Sequence, residues 1–263
     1  MTLKVFHQGQ MQVSFTAFSF QQFKHILEST CKIGHTLTIH NTRDNVQMYI
    51  VNDSLSSFFT VSLKRSFFLS MDYDHEELCV IDPHLLLSHF HSEHLHLKVD
   101  SGSILITTHG TGFTMKRKIY SQEGESVQPI LQQSLGSSFE LSSTILSQWL
   151  QYFKGHELLL SITPTQITMK SHNSQLITEK TIHASEFMRQ NLNSSDLIIN
   201  LVEWQLFSEL AAHLAAPLTC KFGYEGDPFV SEFDVDDISC KLIQATLEME
   251  EEFDTPPSKS LCI

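Results

Sequence analysis

Two kinds of hydrophobic spacing take turns along the chain, four times over. Stretches with apolar residues three or four positions apart predict amphipathic helices over residues 17–30, 82–91, 142–153 and 203–215. In the first, Phe20, Phe23, Leu27 and Cys31 share one side, leaving Gln21, Lys24, His25 and Glu28 outside. The second opens with Asp82 as N-cap and Pro83 at the first helical position. Ile145, Trp149, Leu150 and Phe153 mark the third, and Phe207, Leu210, Ala211 and Leu214 the fourth. After each comes a pair of segments in which apolar and polar residues alternate: HTLTIHNTRDNVQMYIV, HLHLKVDSGSILITT, HELLLSITPTQITMK and PLTCKFGYEGDPFVSEF. The alternation of Leu95, Leu97 and Val99, or of Leu158, Leu160 and Ile162, is that of strands with one buried face. Arg-Asp-Asn, Ser-Gly, Thr-Pro-Thr and Glu-Gly-Asp-Pro supply the reversals between them.

A unit that recurs about every sixty residues predicts an internally duplicated α+β protein. The expected fold has two similar domains, each of two strand-helix-strand-strand units, with the helices on one face of antiparallel sheets. The first domain takes residues 1–120 and the second 137–248. Between them, SQEGESVQPILQQSLG (121–136) is polar, has neither period and contains Gly124, Pro129 and Gly136, as a linker does. Residues 249–263 form an acidic, proline-containing tail expected to be disordered.

Composition narrows the function by exclusion. The 263 residues hold no run of eighteen apolar side chains to span a membrane, and the N-terminus lacks the apolar stretch of a secretory signal. Five scattered cysteines without a C-x-x-C pair point to reduced thiols of the nucleus or cytosol. Neither a phosphate-binding loop, a dinucleotide fingerprint nor a nucleophile elbow is present, so an enzyme is not expected. The one competing signal is the histidine run His84, His89, His91, His94 and His96, which would suit a metal-dependent enzyme. However, His94 and His96 alternate with Leu95 and Leu97, which assigns them to a solvated strand face, and no metal or other cofactor is expected. Seventeen Lys and Arg against thirty Asp and Glu give a net charge of −13. Contact with nucleic acid must then be local, or shared with more basic partners.

Several stretches resemble a known family. From Asp196 to Glu248 these are Glu203-Trp204, Pro217-Leu218, Gly226-Asp227-Pro228 and Ala245-Thr246-Leu247. Between Gly34 and Tyr73 they are Val51-Asn52-Asp53-Ser54 and Ser66-Phe67-Phe68, and Lys116-Arg117-Lys118 leads into the linker. Their order is similar to that of the Rad nine family of checkpoint clamp subunits, and residues 1–248 also resemble proliferating cell nuclear antigen. The resemblance implies a DNA-clamp architecture and a non-enzymatic subunit of a heterotrimeric sliding clamp. Such a clamp acts in the nucleus in the DNA damage checkpoint and in repair. Its partners are Rad one-like and Hus one-like subunits, double-stranded DNA through the ring, a clamp loader, and docked repair and checkpoint proteins. The alternative on the same fold is a homotrimeric replication clamp. By resemblance, helices line the hole, so Lys24, Lys32, His84 and Lys154 are expected to face DNA. Strand edges at 112–120 and 174–183 join neighbours, which assigns Phe113, Met115, Ile119, Leu176 and Ile177 to subunit interfaces. Val127, Pro129, Ile130 and Leu131 are expected beside a groove for partner peptides.

Overall fold

A computed structural model of the chain describes residues 10–90, 95–100, 102–122, 135–173 and 176–247. The first unit runs through β1 (Gln10–Ser14), α1 (Ala17–Ile33), β2 (Leu37–Asn41), β3 (Asn45–Val51), β4 (Ser57–Lys64) and a short β5 (Ser70–Tyr73). The second holds β6 (Glu77–Ile81), α2 (Pro83–Leu87), β7 (Leu95–Asp100), β8 (Ser103–Gly110) and β9 (Phe113–Tyr120). The third repeats the first: β10 (Ser137–Ser142), α3 (Ser143–Leu150), β11 (Glu157–Thr163), β12 (Gln166–His172), β13 (Ile177–His183) and a short β14 (Arg189–Asn191). The fourth repeats the second, with β15 (Ser195–Asn200), α4 (Leu201–His213), β16 (Pro217–Phe222), β17 (Phe229–Val235) and β18 (Ile238–Gln244). Each unit thus carries three strands after its helix; the alternating pairs predict the first two, and the stretches 112–120 and 174–183 mark the third in the second and third units.

The helices begin where their caps dictate. Thr16 accepts from the Ser19 amide at 3.0 Å while Ser19 Oγ accepts from the Thr16 amide at 3.0 Å, a reciprocal cap that starts α1. Asn200 Oδ1 accepts from the Glu203 amide at 3.2 Å, so α4 starts two residues before the predicted 203. The second helix is shorter than the predicted 82–91. Asp82 caps it, but Ser88 Oγ donates to the Leu85 carbonyl at 2.9 Å, and α2 ends after five residues.

Strand pairing links the units in swapped fashion. Each three-stranded meander takes as its fourth strand the first strand of the neighbouring unit: β6 joins β2, β1 joins β7, β15 joins β11 and β10 joins β16. A central antiparallel pair, β4 with β18, then runs in register from Ser57↔Gln244 to Leu63↔Ile238. It fuses two meanders into a nine-stranded sheet, β14-β10-β16-β17-β18-β4-β3-β2-β6. A five-stranded sheet (β5-β1-β7-β8-β9) and a four-stranded sheet (β13-β12-β11-β15) complete the architecture.

One face of every sheet is packed in the core. Phe59, Val61 and Leu63 of β4 point the same way as Ile238, Cys240 and Leu242 of β18, and all are buried. Phe15, Phe23 and Phe90 cluster where α1 meets the five-stranded sheet, with centroids 5.0–6.2 Å apart. At the middle of the molecule lies a buried polar knot. Glu203, on α4 and 6% exposed, accepts from Asn52 Nδ2 at 2.6 Å, from Gln244 Nε2 at 3.3 Å and from the Ser57 hydroxyl. Asn52 and Ser57 flank the turn between β3 and β4, and Gln244 ends β18. The knot therefore ties the two halves of the chain at the point where their sheets fuse.

Replacing Glu203 with Gln keeps the volume but sets an amide NH₂ either against Asn52 or against Ser57 and Gln244. We expect Glu203→Gln to lower unfolding free energy by about 1–3 kcal/mol and Glu203→Ala by more. Urea denaturation checks this, and unchanged midpoints for both variants would deny the knot any share in stability.

Candidate DNA face and assembly edges

The helices form one row. Helix α1 packs on both α2 and α4, and α4 packs on α3. His25 of α1 stacks on His213 of α4, with centroids 4.8 Å apart. Lys32 is exposed in the last turn of α1, where the helix dipole favours a cation. Lys24 is half-buried and 4.0 Å from Glu28. Lys154 is exposed just beyond α3, its Nζ donating to the Gln151 carbonyl at 3.3 Å. His84 is exposed on α2, its ring 5.8 Å from that of His35. Only three acidic residues lie within the four helices, Glu28, Glu203 and Glu209, and Glu203 is held in the knot. The row is thus close to neutral in a chain of net charge −13. It also exposes Phe18, Leu85, Ile145 and Tyr152. Sequence spacing missed these four, or placed them with the core, because an isolated apolar residue on a helix carries no mark of exposure.

The sheet edges are unevenly protected. The free side of β6 is covered by the chain that leaves β9: the Val80 amide donates to Ser121 Oγ at 3.0 Å, and the Gln122 amide to the Val80 carbonyl at 2.7 Å. The free side of β15 is covered in the matching way, by the Leu247 amide donating to the Ile198 carbonyl at 3.1 Å. Among the described residues, the full-length strands left open on one side are β9 and β13, at the ends of the five- and four-stranded sheets. On β9, Phe113 is 62% and Met115 38% exposed, whereas Ile119 is 7% exposed and packed in the core opposite Ile104. Ile119 follows the inward alternation of its strand, so an exposed role does not fit it. Leu176 and Ile177 are both more than half exposed at the start of β13.

A second, smaller apolar cluster lies on the outer face of the nine-stranded sheet across the β4–β18 pair. Phe58, Val230 and Ile243 are buried there, with Tyr49, Val51 and Leu135 packed against them. Adjacent apolar pairs in the strands, Phe58-Phe59, Phe229-Val230 and Leu242-Ile243, are the sequence signal for this second covered face. Leu135 lies within the expected linker, one residue before its end. Val127, Pro129, Ile130 and Leu131 lie outside the described residues.

The chemistry for a metal centre is dispersed. His84 turns toward His35, His89 Nδ1 accepts from Arg117 Nη1 at 2.8 Å, and His96 packs against His109. Among the described residues, no group of three His, Cys, Asp or Glu is placed to hold a metal ion, and His91 and His94 lie outside those residues.

This arrangement of four units, one helix row and a sheet fused across the middle is the fold of a DNA sliding clamp. It superposes on proliferating cell nuclear antigen (PCNA) from Entamoeba histolytica with a TM-score of 0.73 and 14% identity, over 91% of this chain and 99% of that one. PCNA from Thermococcus kodakaraensis gives a TM-score of 0.75 at 12% identity, over 90% and 99% of the two chains. For A. fulgidus PCNA, in a structure with the C-terminal region of FEN-1 bound, the TM-score is 0.72 at 10% identity over 92% and 100%. No curated protein matches the chain by sequence. The model of the Rad9 family matches residues 23–247, and the chain belongs to that family as a sliding-clamp subunit.

Four cysteines are buried and free. Burial, aided by nearby Asp82, pushes the Cys31 thiol up to about 11. Burial raises Cys220 to about 12 against the opposing hydrogen bonds of Ser231 and Trp204, and it raises Cys79 and Cys240 as well. With pKa values above the working pH these groups stay as thiols, which are poor nucleophiles. Iodoacetamide at about pH 8 should leave Cys31, Cys79, Cys220 and Cys240 unmodified in the native protein and alkylate them in denaturant. Native alkylation of Cys220 or Cys240 in a mass spectrum would contradict this.

Proposed function

We propose that this Rad9-family chain is one subunit of a three-membered ring that encircles double-stranded DNA and recruits repair and checkpoint proteins. The observation that carries the reading is the placement of its open edges. Two long strands, β9 and β13, end different sheets, and every other full-length sheet edge is covered from within the chain among the described residues. Edge strands with unpaired backbone groups are templates for a neighbour's strand. Phe113 and Met115 on one edge, and Leu176 and Ile177 on the other, add apolar contact beside those ladders. We read the two halves, 1–120 and 137–248, as the two domains of the subunit.

The helix row then faces the DNA. Lys32 and Lys154 are its freest cations, joined by His84 and, less freely, Lys24. So few cations release few counterions, so the chain adds little salt-dependent affinity of its own. Topological closure retains the DNA instead. The outer cluster around Phe58, Val230 and Ile243, with Leu135 packed against it, forms the floor for partner peptides. The other two members of the ring are Rad one-like and Hus one-like subunits, set on DNA by a clamp loader in the nucleus.

Sedimentation of the chain, of about 30 kDa, alone and mixed with the two other subunit types, tests the reading. A monomer that enters a complex with one copy of each partner is the expected result. A stable homotrimer would indicate a replication clamp, and a monomer indifferent to both partners would reject ring assembly. Phe113→Glu with Met115→Glu should abolish the complex while leaving the thermal midpoint unchanged, since both side chains are exposed.

A further inference from the structure

Although the chain is acidic overall, the outer face of its five-stranded sheet carries lysines toward its β9 edge. The register places Asp72, Gln12, Lys98, Leu105 and Lys118 in one cross-strand row. The next row holds Ser14, His96, Thr107 and Lys116. Leu95, Leu97 and Val99 point into the core, so His96 and Lys98 point out, and Lys116 and Lys118 share that outer face. None of Lys98, Lys116, Arg117 and Lys118 has an ion pair among the described residues. In the first row the sole acid, Asp72, is two strands away from Lys98, roughly 10 Å. Lys118 instead lies over the ring of Tyr120, 5.2 Å from its centroid.

This lysine-bearing face ends in the open edge of β9. The pairing of β9 with β8 is unbroken from Gly110↔Phe113 to Ser103↔Tyr120, so no bulge or shortening blunts the edge. Its two faces differ. Lys116 and Lys118 look outward, while Phe113 and Met115 look to the helix side.

We propose that β9 and the sheet face behind it receive an acidic β-strand of a different polypeptide, one that alternates carboxylates with apolar side chains. The inference rests on the ring reading only for treating β9 as an assembly edge, and it names the chemistry of the neighbour. Carboxylates on the incoming strand meet Lys116 and Lys118 on the outer face, and its apolar residues meet Phe113 and Met115 on the other. Lysines on an edge usually serve to repel strands. Here they repel basic ones and favour an acidic one over a neutral one. A second copy of this chain fits poorly. Its β13 offers a single carboxylate, Glu179, and its Lys180 lies on the helix-side face, as Arg117 does on β9. Pairing two β9 strands would set lysine against lysine.

The test uses short fluorescent peptides that alternate Val with Glu, Gln or Lys, read by anisotropy at low and high salt and by hydrogen exchange of the β9 amides. Wild type should bind the Glu peptide roughly tenfold tighter than the Gln peptide, lose that preference in high salt, and gain protection confined to residues 113–120. Lys116→Glu with Lys118→Glu, both exposed positions, should keep the thermal midpoint and shift the preference to the Lys peptide. Equal affinity for the Glu and Gln peptides, or protection elsewhere, would overturn the proposal. So would displacement of the Glu peptide by duplex DNA that binds wild type and not the variant, because the patch would then be a DNA site. Charge-blind β9 with ring assembly intact removes this inference alone. Charge preference without any ring assembly supports it and removes the ring reading alone.

Discussion

The β4–β18 pair is the constraint on which the rest of the structure depends. Each strand in it is flanked by its own meander, so a single antiparallel ladder converts two separate sheets into one nine-stranded surface. Backbone groups that would otherwise face solvent in the middle of the molecule are paired there. Beneath it Glu203 gathers Asn52, Ser57 and Gln244, and Trp204 Nε1 donates to Ser231 Oγ at 3.0 Å. A buried carboxyl group that receives donors from three other strands and turns fixes their mutual register, because a slip of one residue would leave it unpaired. The open edges are thereby pushed outward to β9 and β13. Assembly is possible at the two ends because the centre is closed.

Charge follows the same division of labour. The helix row is almost neutral, and the outer face of the five-stranded sheet carries lysines toward its β9 edge. On the nine-stranded sheet, Lys221 and Lys241 flank Glu232. Burial raises the pKa of that carboxyl group, but the two lysines outweigh burial and hold it below the usual range. Ion pairs there are satisfied within the chain, whereas the cations of β9 are not. The net charge of −13 is therefore a poor guide to any one surface. The useful quantity is which face holds charge that the fold itself does not neutralise.

Much of this architecture was legible in the sequence, for a physical reason. A duplicated unit repeats the same buried faces, so helix and strand periods reinforce one another, and α1, α3 and α4 lie close to their predicted positions. The second helix was overextended because Leu86 and Phe90 keep a helical spacing after the backbone has left the helix. Both are buried, so periodicity recorded burial rather than conformation. The edge strands at 112–120 and 174–183 are also legible, yet Ile119, expected at a subunit interface, is turned inward by strand alternation. The Glu203 knot was not legible as a contact. Its partners stand 151, 146 and 41 residues away, and no local pattern links them. Even so, Glu203-Trp204 and Val51-Asn52-Asp53-Ser54 both belong to the family-like stretches. The structure gives one reason for their joint presence, since Glu203 and Asn52 touch.

For a ring, closure matters more than the strength of any single contact with DNA. A protein that binds a duplex by phosphate contacts loses affinity as its cations are removed. A closed ring dissociates only if an interface opens, so its residence is set by the edges and by the stiffness between them. In this chain the fused sheet supplies stiffness, and the two proposed assembly edges carry different side chains: lysines with Phe113 and Met115 on one, and Leu176, Ile177 and a single carboxylate on the other. Two unlike edges on one subunit allow a head-to-tail joint, and which chain each edge accepts depends on the side chains it presents. A closed ring does not depend on many cations to hold a duplex.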